Sequence, residues 1–230
     1  MAKNAFRKTS IGRKVLMALS GLFLMLFLLQ HLTINMLSVI SPDMFNEVSH
    51  FMGTNPIVQF LLQPILIAAI IFHFVMGIAL DIMNNKAREV KYAYNKPSAN
   101  STWMSRNMII TGLVILAFLG LHFYDFWIHE ITEKYIEGDM SGLNAQGEFR
   151  YHEELVEKFV DIWRVIIYCI SFVLLALHLQ HGFASAFQSV GARTGKNKTA
   201  LQKFGNIFAF VVPAGFIFIA LFHHFTHGAH

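Results

Sequence analysis

Leu28-Leu29-Gln30-His31 sets an imidazole deep inside an unbroken apolar run, and the arrangement returns at Phe72-His73, Leu121-His122 and Leu177-His178. Each of four successive hydrophobic segments thus carries one such histidine. A neutral imidazole in hydrocarbon keeps a donor and an acceptor, and leaving them unpaired costs roughly a few kcal/mol. For any single histidine, a helix–helix hydrogen bond or a wet cavity is the simpler account. Four together point to a common partner for the ring nitrogens, and metal is the first to consider.

The segments around these histidines are long enough to cross a bilayer core, which takes about 20 helical residues. Five such stretches, near 14–40, 56–83, 106–129, 160–188 and 205–226, occupy most of the 230 residues. A hydrophobic content of 55%, with 14% charged residues and a mean hydropathy of +0.49, is too apolar for a soluble domain of this length. The expected fold is all-α integral membrane, with five transmembrane helices, four of them bearing histidine in a bundle plus a fifth. It forms one domain over 1–230 and leaves no room for a separate soluble catalytic domain. The first run is longer than a signal-peptide core and lacks a small-x-small cleavage site, so it is expected to be retained. Cys169 has no partner in the chain, which excludes a disulfide framework and leaves it a packing role in the fourth stretch. Pro64 and Pro213 fall inside spans two and five, where kinks are expected.

Fourteen of the eighteen basic residues lie on one side of this topology: Lys3, Arg7, Lys8, Arg13 and Lys14; Lys86, Arg88, Lys91, Lys96 and Arg106; Arg193, Lys196, Lys198 and Lys203. The other side has Lys134, Arg150, Lys158 and Arg164 among the acidic residues from Glu130 to Asp161. The positive-inside rule then puts the N-terminus in the cytoplasm and the C-terminus outside, in a multi-pass protein of the cell's inner (cytoplasmic) membrane. The net charge of +4 is an uneven distribution across a membrane, not a nucleic-acid signature.

A weak internal repeat accompanies the histidines. Ser20-Gly21-Leu22 precedes His31 by the spacing at which Thr111-Gly112-Leu113 precedes His122, and His73 and His178 share the pattern H-x-x-x-G with Gly77 and Gly182. Depth sorts the four rings. At ~1.5 Å per residue, His31 and His122 lie about 15 and 12 Å from the outer boundary, and His73 and His178 about 25 and 21 Å from it. Two levels, each with two histidines from different helices, are the layout for two stacked bis-histidine haems: the outer held by His31 and His122, the inner by His73 and His178. Iron with two imidazole ligands has no open position, which favours electron transfer over oxygen binding. Gly77 and Gly182, one turn from the inner ligands, would admit a porphyrin edge, and Gly21 and Gly112 fall near the level of the inner ring. Close helix contact explains any one of these glycines equally well. His181, three residues after His178, competes for the ligand role, and the glycine spacing favours His178. His50, His129 and His152 sit at the outer edge. His223, His227 and His230 share a helical face that could take a divalent metal, though a solvated helix end accounts for them more simply.

Gln30-His31-Leu32 with Asn35, Phe45-Asn46, His50-Phe51-Met52, His73-x-x-x-Gly77, His122 and His178-x-x-x-Gly182 together resemble, in order, a known family. It is the cytochrome b membrane-anchor subunit of succinate dehydrogenase or fumarate reductase, of the single-polypeptide, five-helix, di-haem type, and the resemblance covers about 13–225. It implies two haem b groups whose axial ligands match His31, His73, His122 and His178. It also implies a flavoprotein and an iron–sulfur subunit docked on the cytoplasmic face, and electron exchange with membrane quinone, often menaquinone, near the outer haem. His181 stands where some relatives have Asn. Succinate chemistry would belong to the partner subunits. Quinone chemistry also moves protons, for which Glu47 and His50 are the candidates, with Asp125, Trp127 and His129 behind them; a capped interfacial turn explains Glu47 and His50 equally well. Two other classes compete. One is a cytochrome b subunit of a hydrogenase or formate dehydrogenase, which co-purifying subunits would reveal. The other is a haem-free transporter using histidines for protons or metal, which would be colourless.

Overall fold

A computed structural model of the chain describes residues 9–86 and 107–228. The basic residues Lys3, Arg7, Lys8, Arg88, Lys91, Lys96 and Arg106, and the terminal His230, lie outside the described residues. The described helices are α1 (Ser10–Ile40), α2 (Pro42–Thr54), α3 (Gln63–Lys86), α4 (Met108–His122), α5 (His129–Thr132), α6 (Tyr151–Val160), α7 (Ile162–Ser189) and α8 (Lys198–His227). Wide π turns at Val58–Leu62, Phe123–Ile128 and Glu133–Glu137 join some of them end to end. Five continuous helices result that are long and apolar enough to cross a membrane: Ile11–Ile40, Val58–Lys86, Met108–Glu137, Ile162–Ser189 and Lys198–His227. The all-α membrane fold read from hydropathy is the one observed.

Two span boundaries differ from the sequence expectation by more than about one helical turn, each for a physical reason. Span three runs on to Glu137, because the charges that seemed to end it at 129 find partners inside the protein. It stops at Gly138, whose φ of +82° is the left-handed C-terminal conformation that glycine adopts freely. Span five begins at Lys198, about two largely polar turns ahead of the apolar run that marks it in the sequence. The helix passes without interruption through Pro213. Ahead of Pro64, the π turn at Val58–Leu62 widens the coil where proline offers no N–H. The 41–55 connection is a helix, α2, with Ser41 as its N-cap and Pro42 at the first position.

Spans four and five form the densest packing. Val165, Tyr168 and Phe172 meet Val212, Phe216, Ile219 and Ala220, with Leu32 of span one between them and Cys169 packed at the edge. Phe172 stacks on Phe216 at 5.2 Å. Gly205 and Gly215 permit this approach: a Cβ there would lie 2.6 Å from Phe183 and 2.9 Å from Leu32. Small residues at the seam are how helices pack in lipid, where apolar burial alone gives little drive. Leu26, Phe60, Trp163 and Phe210 are 69–72% exposed, an apolar outer surface suited to hydrocarbon.

Candidate functional site

The four midspan histidines meet in two pairs. His31 and His122 have ring centres 5.7 Å apart at an interplanar angle of 86°. His73 and His178 are 6.4 Å apart at 64°. It is His178, and not His181, that faces His73.

The inner pair is gripped from the neighbouring helices. Ser20 Oγ lies 3.0 Å from His73 Nδ1, and Thr111 Oγ1 lies 3.2 Å from His178 Nδ1. The adjacent glycines touch the same rings: a Cβ on Gly21 would stand 3.3 Å from His73 Cε1, and one on Gly112 3.6 Å from His178 Cε1. Gly77 and Gly182 instead face methionine methyl groups, Met17 Cε and Met108 Cε, each at 3.5 Å. In the outer pair, His31 stacks on Phe27 at 5.3 Å and packs against Phe216, while His122 is framed by Phe118, Phe126 and Tyr168. His122 Nδ1 is buried and has no hydrogen-bond partner among the described residues.

Two imidazoles on opposite sides of one metal, each bonded at ~2.0 Å, would have ring centres about 6 Å apart. Both pairs fit that spacing. Among the described residues no group of three or more histidine, cysteine, aspartate or glutamate side chains is arranged to hold a metal ion. Two protein ligands per level match an iron whose remaining positions a porphyrin fills, rather than a bare ion that takes four.

Above the outer pair the structure buries charges from the ends of spans three and four and from the connection between them. Asp125, 2% exposed, accepts from Arg164 Nε at 3.0 Å, from Arg164 Nη2 at 2.7 Å and from the Tyr168 hydroxyl at 2.8 Å. Asp125 is thus committed to an ion pair between spans three and four. Lys134, 3% exposed, places Nζ 2.5 Å from Glu130 Oε1 and donates to the Gly53 carbonyl at 2.5 Å. Arg150 bridges Glu130 at 2.7 Å and also pairs with Glu154, which His129 approaches at 3.3 Å. Burial pulls the Arg150 pKa down, but the Glu154 hydrogen bond and the charges of Glu154 and Glu130 outweigh it and hold the guanidinium above its ordinary range. Tyr151 is pushed up by burial first and by Glu130 second, so its hydroxyl keeps its proton.

A cavity of about 230 Å³ opens beside this network. Phe60, Ile67, Trp127 and Ile131 form its apolar walls, and Gln59, Glu130 and Lys134 its polar end. Of the two residues singled out for proton chemistry, His50 reaches the network: it stacks on Phe149 at 4.3 Å and lies 3.3 Å from the Tyr151 hydroxyl. Glu47 is exposed on α2. Asn46 explains why α2 sits here. Its side chain donates to Phe149 O and accepts from His152 N, both at 2.8 Å, stitching α2 to the start of α6.

Lys134, Arg150 and the cavity were missed because a charge in a sequence carries no mark of its burial. The Ser20 and Thr111 contacts had a signal, the repeated hydroxyl–glycine step, but the repeat does not say which ring each hydroxyl meets. His223 is fully buried, donating to Ser38 Oγ at 2.9 Å, so it is not part of a solvated helix end.

No family model matches the chain, and no solved structure matches it. Over 101 residues it is 28% identical to the succinate dehydrogenase cytochrome b558 subunit of Bacillus subtilis (strain 168). The alignment covers 44% of this chain and 46% of that relative, so the chain spans just under half the length of the curated relative it matches.

Proposed function

We propose that the chain is a cytochrome b that anchors a succinate dehydrogenase or fumarate reductase in the membrane, a reading supported by its likeness to the Bacillus subtilis subunit. The observation that carries it is the pairing of four midspan imidazoles, with ring centres at 5.7 and 6.4 Å. His31 and His122 would hold one b-type haem and His73 and His178 a second, with Gly21, Gly112, Gly77 and Gly182 lying close by. When bound, these groups supply one-electron transfer across the hydrocarbon core. The protein's own work is to hold the rings in fixed orientation, to exclude water from them, and to manage protons at the outer end.

A flavoprotein and an iron–sulfur subunit would dock on the basic side, taken as cytoplasmic, with the C-terminus outside the inner membrane. Membrane quinone, menaquinone in this reading, suits the cavity below Lys134: an apolar slot for the ring and a buried ammonium to donate to a carbonyl oxygen. Glu130 and Tyr151 connect that ammonium to His50, and Glu47 lies at the surface where protons meet water.

The test is purification of the complex with a reduced-minus-oxidised spectrum and identification of its subunits. Alanine at His31, His73, His122 or His178 is expected to remove one haem from the spectrum in each case. Retention of both haems in all four variants, or a colourless wild type, refutes the reading.

A further inference from the structure

We infer that Ser20 and Thr111 are positioning residues that decide which nitrogen of each inner imidazole is left bare, a role that rests on the haem reading above. The hydroxyl of Ser20 has one hydrogen, and Met17 O, 2.8 Å away on the same helix, takes it. Only lone pairs remain on that oxygen, so across the 3.0 Å contact it is His73 Nδ1–H that donates. Thr111 repeats the arrangement. Its hydrogen goes to Met108 O at 3.0 Å, and it accepts from His178 Nδ1–H at 3.2 Å. A neutral imidazole carries hydrogen on one nitrogen only, so the network assigns both rings the tautomer with a bare Nε2. That is the form that binds metal, with the other nitrogen donating to a fixed acceptor.

The two clamps are related by the internal repeat. Span one holds the ring of span two, and span three holds the ring of span four. In each, the next residue is a glycine, Gly21 or Gly112, against which the ring's Cε1 rests. The hydroxyl sets the rotation of the imidazole and the glycine sets how near it comes. The outer pair lacks the device: His122 Nδ1 has no partner among the described residues, and Asn35 Nδ2 approaches the nitrogens of His31 only to 3.4 Å. The two levels are therefore built with different control over their ligands.

Donation from Nδ1–H raises the donor strength of Nε2 and favours the oxidised metal. Removing the acceptor is expected to raise the midpoint potential of the inner haem. The experiment uses the assembled complex carrying Ser20→Ala or the isosteric Thr111→Val. Haem content is read by absorbance, potential by redox titration, and ring orientation by the electron paramagnetic resonance of the low-spin iron. Both haems should remain. One of them should shift about tenfold in its oxidised-to-reduced ratio at fixed potential, equivalent to ~59 mV for a one-electron couple, with an altered resonance. Ser20→Thr and Thr111→Ser, which keep the hydroxyl, should restore both readouts. If either variant fails to assemble, the other is decisive alone. Wild-type potential and resonance in the variants overturn the proposal while leaving the haem reading intact; loss of that reading would show as a wild type without haem.

Discussion

Replacing Asp125 by leucine would leave the Arg164 guanidinium at the outer end of span four without the carboxylate that takes hydrogen bonds from two of its nitrogens. Arg164 would retain only Asp161 at 3.8 Å, and with 27% of its side chain exposed it would recover part of its hydration. The expected cost is about 3 kcal/mol, including the acceptor lost to the Tyr168 hydroxyl. Arg164→Met is the mirror case. It leaves a carboxylate with no exposed side-chain surface and one hydroxyl donor, again at about 3 kcal/mol. Removing both charges leaves no uncompensated ion, so the double variant should cost near ~3 kcal/mol rather than the ~6 expected of independent sites. Equilibrium unfolding by sodium dodecyl sulfate in mixed micelles, followed by circular dichroism, measures all four species. Additivity within ~0.5 kcal/mol would show that the pair contributes nothing as a pair and would refute the argument.

Gly205→Ala would force Phe183 aside and is expected to cost about 1–3 kcal/mol in the same assay, with Phe183→Leu recovering part of it. Burial first, and His227 beside it, keep His152 neutral below its usual 6.5 against the opposing pull of the Ser38 carbonyl and Asp43. The unfolded chain therefore takes up this proton first. Stability from this group is complete above about pH 6.5 and declines as the pH falls, so His152→Gln should flatten the acid side of a thermal-stability profile. Lys134→Met should raise the KM for a short-chain quinone about tenfold, a loss near ~1.4 kcal/mol, with the haem spectrum unchanged. A normal KM would remove the cavity from consideration.

Much of this architecture was legible in the chain, because an imidazole inside an apolar helix is chemically conspicuous. His31, His73, His122 and His178 announce themselves, and helical rise alone sorts them into two depths. What was not legible depends on contacts between distant segments. Lys134 and Arg150 read as ordinary outer charges until Glu130, Glu154 and the Gly53 carbonyl are seen around them. The same partners explain why span three outlasts its apolar run. Glu47 and His50 look equivalent on paper, three residues apart, yet one faces outward and the other meets Tyr151. The glycines divide in the same way: Gly21 and Gly112 touch the inner rings, whereas Gly77 and Gly182 touch methionines.

Ser38 serves two imidazoles at once, its hydroxyl receiving His223 Nε2–H and its carbonyl receiving His152 Nε2–H at 3.1 Å. In lipid, one greasy helix slides against another with little penalty, and nothing in a row of leucines distinguishes one turn from the next. A single small polar residue between span one, α6 and span five, through its hydroxyl and its carbonyl, works as a detent. Moving span five by one turn would strand the fully buried His223 N–H in a dry place, so the alignment of the outer rim is indexed by one oxygen-bearing residue.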